Sequence, residues 1–292
     1  MPPDLGLFYV WDSIPDQMTS VIADGNVLMS EKIVVGKLSS PTPVFSAAMQ
    51  FVIFHPSWGV PPGMKASELA PKLRDTGGGW FSSKPLASDV LRAQGLQVTR
   101  GGVPINPDSI EWANTDIGNY EFNQGPGPTN VLGAVKFRFP NKHDVYMHDT
   151  PEKNLFGGSV RAFSHGCMRV QNPMHLAEVL LAHDKGWSHE KIREAARQGN
   201  EVTLTSAIPV HVTYFTARVD DGGMLITRPD IYGLDSRVAT ALEGHEVQLA
   251  TSKTALSEPA VVGGQVRRHK SNVRQRSEST AEFNPFKSLF GE

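Results

Sequence analysis

The pattern of apolar and polar residues in the first part of the chain predicts extended strands joined by tight turns. Residues 18–36 form two strand-like runs around Asp24-Gly25-Asn26. Asp-Gly between such runs is a strong signal for a β-hairpin. After a polar, proline-containing loop, Val44–Phe54 is a mostly apolar run of strand length. The chain therefore begins as a β-rich domain.

Residues 57–112 differ in pattern from the segments on either side. Clusters of glycine and proline interrupt the chain here, and two short helical patterns, Ala66–Arg74 and Ser88–Gln94, lie between them. Glycine and proline break regular structure, so a continuous sheet is not expected. We expect an inserted subdomain or lid.

The following residues, up to about 249, return to strands and add two helices. The predicted strands are Val131–Phe139, Asp144–His148, Glu201–Ser206, Val210–Arg218 and Met224–Thr227. Pro173–Leu181 carries an apolar stripe at helical spacing. A second helix is predicted between Ser188, as its N-cap, and Gly199, as its stop.

Core signals stop near residue 250. Residues 250–292 hold seven basic and four acidic residues, a composition that predicts a solvated, disordered tail. A weak contact with an anionic polymer is the alternative. The predicted organisation is an N-terminal extension or truncated strand at 1–17, one main domain at 18–249 that includes the insertion 57–112, and the tail.

Composition and charge exclude several classes of protein. The 292 residues are 39% hydrophobic and 20% charged, as in ordinary globular domains. The net charge of −2 gives no overall positive field for nucleic acid. No run approaches the length of a membrane span. The first basic residue is Lys32, so we expect no signal peptide, and a chain that starts in the cytoplasm or is a piece of a longer one.

The sequence contains one cysteine, Cys167, which excludes an intramolecular disulfide and a multi-cysteine zinc site. A lone cysteine is usually an inert core residue. Here Gly166 precedes it and allows a tight turn that presents amide groups. A histidine, His148, lies 19 residues earlier, at the end of a predicted strand. The polar neighbours, which argue against an apolar site, are Ser164, His165 and Arg169.

These residue types suit nucleophilic catalysis. A thiol is mostly protonated at neutral pH and becomes reactive when a histidine takes its proton or positive charge lowers its pKa. Either His148 or His165 could be the base, and Arg169 could add positive potential. The remaining histidines show no zinc-ligand spacing.

This segment resembles the L,D-transpeptidases with a YkuD-type catalytic domain, in particular their YcbB-like Gram-negative branch. The family motif is a histidine, a spacer, and then Ser-x-Gly-Cys-x-Arg or Asn. The sequence has His148 followed by Ser164-His165-Gly166-Cys167-Met168-Arg169. Further similar stretches are 34–37, 41–45, 132–137, 146–151 and 208–210, so the resemblance covers residues 9–235.

The resemblance implies a fold that is mainly β with some α, a YkuD-like β-sandwich with a capping insertion. It implies that Cys167 is the nucleophile and His148 the general base, oriented by the backbone carbonyl of Asp149. The Tyr146 hydroxyl and backbone N–H groups of the Gly166-Cys167 turn would form the oxyanion site.

The resemblance also implies residues that bind substrate. Arg169 would bind a substrate carboxylate, with a structural ion pair to a loop carboxylate as the alternative. His165 and Ser164 would line the site.

The reaction that the resemblance implies is a double acyl transfer between peptidoglycan stem peptides. Cys167 would attack after the third residue of a donor tetrapeptide, release D-Ala and form a thioester. An acceptor amine would then give a 3→3 cross-link in the periplasm, and this reaction requires neither a metal nor an organic cofactor. Two alternatives stay open: an L,D-carboxypeptidase, in which water takes the place of the amine, and a non-enzymatic cell-wall binding protein.

Overall fold

The computed structural model describes residues 2–77, 83–220 and 222–244. The strands in these ranges are β1 (Phe8–Ser13), β2 (Met18–Ala23), β3 (Asn26–Gly36), β4 (Phe45–Phe54), β5 (Trp58–Gly59), β6 (Leu96–Arg100), β7 (Val103–Pro104), β8 (Glu121–Gln124), β9 (Val135–Arg138), β10 (Met147–His148), β11 (Ala162–Ser164), β12 (Met168–Val170), β13 (Glu201–Thr213), β14 (Ala217–Val219) and β15 (Leu225–Thr227). The α-helices are α1 (Pro62–Met64), α2 (Ala70–Arg74), α3 (Ala87–Ala93), α4 (Pro173–Lys185), α5 (His189–Gln198) and α6 (Leu234–Leu242). A π-helical turn spans Lys65–Leu69, and 3₁₀ turns span Pro107–Ser109, Ile117–Asn119 and Lys153–Gly157.

Nine strands form the main sheet in the order β11-β3-β12-β10-β9-β4-β13-β1-β2. Because β2 also pairs with β3, the sheet closes on itself. Its strands share one core with α4 and α5, in which Met147, Met168, Leu180 and Ile192 are almost fully buried. Burying one such side chain contributes about 1.5–3 kcal/mol, so this core holds both helices on one face of the site-bearing strands. The fold is β-rich with helices, as predicted.

Several local predictions are confirmed. β2 and β3 pair antiparallel around Asp24 and Gly25, whose φ angles of 49° and 78° fit a two-residue type I′ turn. Helix α5 begins after Ser188, whose side chain accepts a hydrogen bond from the Lys191 N–H, and ends at Gly199 with φ 70°.

The N-terminal residues are part of the sheet. β1 pairs parallel with β13 and antiparallel with β2, and Val10 and Ile14 are fully buried. Residues 8–13 are therefore a strand of the main sheet rather than an extension outside it.

The strand boundaries after residue 130 differ from the predicted ones. β9 and β10 are shorter than predicted because a turn occupies 131–134 and residues 144–146 are outside the strand. β13 is one strand where two were predicted. Its pairing with β4 is irregular between Thr203 and Ile208, where the register shifts, and it resumes from Ile208 to Val212.

The insertion carries its own sheet and core. Its four strands have the order β5-β8-β6-β7, and Trp58, Leu91, Trp112 and Phe122 pack in its core. Both predicted helical patterns are helical in the structure, as the π turn with α2 and as α3. The insertion extends past its predicted end at residue 112, because β8, one of the two central strands of its sheet, lies at Glu121–Gln124.

The C-terminal part of the described chain contains the predicted β14–β15 hairpin and α6, which was not predicted. The predicted tail at 250–292 lies outside the described residues. Within the described ranges, no helix combines the length and apolar character that a membrane crossing requires.

Asp12 is a carboxyl group buried inside the sheet on β1. It is 0% exposed and lies opposite Thr19 and Val212 on the neighbouring strands. Neither carboxyl oxygen makes a well-formed hydrogen bond within the described residues. Burial therefore raises the pKa of Asp12 from 3.8 to about 7, although Thr19 opposes the shift.

This carboxyl should make stability fall as pH rises through the range between the two pKa values. The folded state keeps a proton that the unfolded Asp12 releases, so its contribution is present below 3.8 and is lost as pH passes about 7. Replacing Asp12 by Asn removes this pH dependence. The free energy of unfolding of Asp12→Asn, relative to the native chain, should therefore be higher at pH 8 than at pH 5 by on the order of 1–3 kcal/mol. Urea unfolding at both pH values measures this difference, with Asp89→Asn on an exposed helix as control. An equal effect at the two pH values would contradict the assignment.

Candidate active site

The pairing of β10 with β12 determines which side chains meet. The two strands run parallel with Met147 opposite Met168 and His148 opposite Arg169. Both methionines are fully buried in the core. Because side chains alternate across a strand, the residues next to them share the opposite face. That face, called the site face here, carries Tyr146, His148, Cys167 and Arg169.

Cys167 stands at the end of a turn that Ser164 closes. The Ser164 hydroxyl donates to the Cys167 carbonyl at 2.5 Å and accepts from the Gly166 N–H at 3.1 Å. Gly166 has φ 115°, which a residue with a Cβ rarely adopts. Ser164 is 3% exposed, and both hydrogen bonds of its hydroxyl stay within the turn. The Gly166 N–H therefore already has an acceptor in Ser164. No described residue accepts from the Cys167 backbone N–H.

Buried hydrogen bonds anchor this turn from behind. The Thr42 hydroxyl donates to the Gly166 carbonyl and accepts from the Gly36 N–H, each at 2.8 Å. The Tyr232 hydroxyl donates to the Gly36 carbonyl at 2.7 Å and accepts from the Thr42 N–H at 3.2 Å. The end of β3 and a residue far along the chain therefore fix the turn, and no local motif indicated either.

The Cys167 thiol is partly exposed and points toward the Asp144 carbonyl oxygen, 3.9 Å from Sγ. Burial raises the pKa of Cys167 above its ordinary value. Hydrogen bonds from Tyr146 and the positive charges of Lys136 and Arg169 oppose that shift without cancelling it. At neutral pH the sulfur is therefore a neutral thiol.

His148 is 6% exposed, and its Nδ1 lies 2.5 Å from the Asp149 carbonyl oxygen. A carbonyl only accepts, so Nδ1 carries the proton and Nε2 keeps a lone pair. Burial, followed by the charges of Arg169 and Lys136, lowers the pKa of His148 from 6.5 to about 3. The imidazole is thus a neutral acceptor on the site face. A direct bond from Cys167 to His148 is not among the contacts of the described residues.

The side chain and backbone of Asp149 hold its carbonyl in place. One carboxyl oxygen accepts from the Ala134 N–H at 2.8 Å. The other accepts from the Thr150 N–H at 2.7 Å and from Lys153 Nζ at 2.5 Å. The Asp149 N–H donates to the Val135 carbonyl at 2.8 Å. His148 thus contacts the carbonyl that the resemblance implied, and hydrogen bonds hold Asp149 on both sides.

Tyr146 links the thiol to the insertion. Its hydroxyl is hydrogen-bonded to both Trp58 and Cys167, and burial raises the pKa of Tyr146, so that it stays protonated. Its ring lies 5.6 Å from the His148 ring and packs against the core of the insertion.

Lys136 is a site residue that the sequence analysis missed. It lies opposite His148 on β9, and its Nζ is 4.0 Å from the centroid of the Tyr146 ring. The alternation of buried Val135 and Phe137 with Lys136 is typical of any half-buried strand, so the pattern did not distinguish it.

Arg169 and His165 have partners within the protein. Arg169 forms an ion pair with Glu152 and its side chain is only 10% exposed, which is the structural alternative that the sequence left open. His165 Nε2 lies 2.8 Å from Glu68 Oε1 and 3.2 Å from Lys37 Nζ. Glu68 belongs to the insertion, so His165 joins the Cys167 turn to the insertion.

A cysteine on a glycine turn, on the same sheet face as a histidine with an unprotonated ring nitrogen, is a residue set that enzymes forming acyl intermediates use. The family model of the YkuD L,D-transpeptidase catalytic domain matches residues 8–202. This chain belongs to that family. A Haemophilus influenzae protein named "Putative L,D-transpeptidase" is 28% identical over 235 residues, which are 80% of this chain and 45% of the relative. The chain thus spans less than half the length of that relative.

Solved structures similar to this chain include two L,D-transpeptidases. L,D-transpeptidase 3 from Mycobacterium tuberculosis is 13% identical, with a TM-score of 0.31 over 71% of this chain and 61% of its own. The catalytic domain of the E. faecium L,D-transpeptidase is also 13% identical, with a TM-score of 0.29 over 73% of this chain and 100% of its own. Membership of the family rests on the match of the family model to residues 8–202.

Gly133 should be essential for the position of Asp149 and, through it, of His148. Gly133 has φ 58°, and a Cβ there would overlap the Asp149 carboxyl group. Gly133→Ala should therefore lose about 1–2 kcal/mol from backbone strain. It should also slow the reaction of Cys167 with an acylating probe by about tenfold or more, since His148 loses its support.

Gly101→Ala is the matched control, because Gly101 has nearly the same φ, 57°, and nothing within 4 Å of the added Cβ. It should lose similar stability to strain and keep its reaction rate. Thermal unfolding and intact-mass kinetics measure the two effects. Equal reaction rates in both variants would show that Asp149 does not position His148.

Proposed function

We propose that this domain is an L,D-transpeptidase that joins peptidoglycan stem peptides through a thioester on Cys167. The observation that carries the proposal is the shared face of Cys167 and His148, with the His148 Nδ1–H fixed on the Asp149 carbonyl. Family membership supports the class of reaction. Because peptidoglycan lies outside the cytoplasm, the domain works in the cell envelope.

The first acyl transfer begins from a neutral thiol and a neutral imidazole. As Sγ bonds to the carbonyl carbon after the third residue of the donor stem, its proton passes to His148 Nε2. The carbonyl oxygen becomes an oxyanion, which the Tyr146 hydroxyl and the Cys167 backbone N–H stabilise by about 3–4 kcal/mol each. His148 then protonates the leaving amine, the C–N bond breaks, and D-Ala departs from a thioester.

The second transfer returns the enzyme to its starting state. An amine of a second stem attacks the thioester carbonyl, His148 takes the amine proton, and the C–S bond breaks as Sγ recovers a proton. The products are a 3→3 cross-link and free Cys167, a ping-pong sequence. The Asp149 carbonyl stabilises the imidazolium in both halves.

The insertion supports transfer to an amine over hydrolysis. Its residues Trp58 and Glu68 contact Tyr146 and His165 beside the thiol. A cap at this position excludes water from the thioester. Hydrolysis by the same residues would make the domain an L,D-carboxypeptidase, and the two activities differ in the product formed from a donor tetrapeptide and an acceptor amine.

Acylation by a carbapenem β-lactam tests the roles of Cys167 and His148. One adduct per chain should form on Cys167, and Cys167→Ala should abolish it. His148→Ala should slow it by about 10²–10⁴-fold, the usual contribution of a general base. Tyr146→Phe should slow it less, because the Cys167 N–H still faces the oxyanion. Intact-mass spectrometry measures the adduct, with His183→Ala, stacked on Phe8, as control.

The pH dependence of the same reaction separates this mechanism from an ion-pair mechanism. With a pKa of about 3, His148 stays unprotonated from neutral pH down to well below 5. The acylation rate should therefore show no loss centred near pH 6.5. Equal rates for the native chain and His148→Ala would make His165 the better base candidate. No adduct on a folded protein would favour a non-enzymatic cell-wall protein.

A further inference from the structure

Three cations of the site-bearing strands differ in whether a carboxylate already holds them. Arg169 is ion-paired with Glu152. Arg138, two residues from Lys136 on β9, lies 3.7 Å from Glu201. Lys136 forms no ion pair with any residue in the part of the chain that the structure describes.

The position of Lys136 is set by strand register and by an aromatic ring. It pairs with His148 across β9 and β10, and its Nζ lies 4.0 Å from the Tyr146 ring centroid. A cation over an aromatic face is held there by the ring quadrupole. The hydroxyl of the same ring is hydrogen-bonded to Cys167. The ammonium group thus lies over the Tyr146 ring, close enough to Cys167 for its charge to act on the thiol.

A half-buried ammonium without a counter-ion is unfavourable for the free protein. Burial lowers the pKa of Lys136, which reflects the cost of removing its charge from water. An incoming anion would offset that cost with a charge-assisted hydrogen bond. The family resemblance implied that Arg169 binds a substrate carboxylate, but Arg169 already has a carboxylate partner within the protein, Glu152.

Resting on the proposed function, we propose that Lys136 binds a carboxylate of the donor stem next to the scissile bond and selects donors that carry it. A donor whose carbonyl carbon lies at Cys167, with its oxygen at the Tyr146 hydroxyl, extends over the Tyr146 ring toward Lys136. Two carboxylates of such a donor are candidates: the terminal one of the leaving residue and, where the third residue is diaminopimelate, the one at the end of its side chain. Both present the same chemistry to Lys136.

The test compares three donor tetrapeptides: one with both carboxylates free, one with a C-terminal amide, and one with the third residue amidated. Lys136→Met should lower kcat/KM for the free donor by about 10- to 100-fold, as expected for a hydrogen bond between charged groups. For the donor that lacks the bound carboxylate, native and variant proteins should have equal kcat/KM, which identifies the carboxylate. Lys136→Arg should restore most of the selectivity.

The comparison is independent of any effect of Lys136 on the thiol, because all three donors react with the same sulfur. Lys191→Met is the matched control. Lys191 also lies over an aromatic ring, 4.6 Å from the Trp187 centroid, on α5, which packs on the core side of the sheet. It should leave the selectivity unchanged.

Two results would overturn the assignment while the proposed function stands: an equal fall for all three donors, or no fall for any of them. A native protein that accepts none of the donors would contradict the proposed function and the assignment together.

Discussion

The short parallel ladder between β10 and β12 constrains every other feature of the site. Its register buries Met147 and Met168 in the core and thereby turns His148 and the segment around Cys167 to the opposite face. A slip of one residue would exchange the two faces, placing a histidine in the core and a methionine at the site. The buried methionines, which α4 and α5 cover, therefore hold the chemistry in register although they take no part in it.

Electrostatics then determines the state of the reacting groups. Burial keeps the Cys167 thiol and the His148 imidazole neutral, and the nearby cations reinforce this for His148 while opposing it for Cys167. The Asp149 carbonyl fixes which nitrogen of His148 is free. His148 is therefore a neutral base that accepts the Cys167 proton during attack, and no thiolate–imidazolium ion pair forms beforehand.

The sequence predicted the parts of this arrangement that a local motif encodes. A turn glycine, a lone thiol and a histidine at a strand end are visible at Gly166, Cys167 and His148. The residues that support the site were not predictable from local motifs. Tyr232 is distant in sequence, and the close approach of Gly133 to Asp149 appears only in three dimensions. Lys136 lies in a strand with an ordinary alternating pattern. The sheet of the insertion was also missed, since strands of two residues such as β5 and β7 leave no periodic signal.

The central claim is that His148 is a neutral base with its proton on Nδ1, and nitrogen NMR of histidine-labelled protein tests it most directly. Comparison with His148→Ala assigns its resonances, and long-range proton–nitrogen correlations identify the protonated nitrogen. At neutral pH His148 should be in the Nδ1–H form, with a pKa of about 3 on acid titration. A proton on Nε2, or titration near the ordinary histidine value of 6.5, would contradict it.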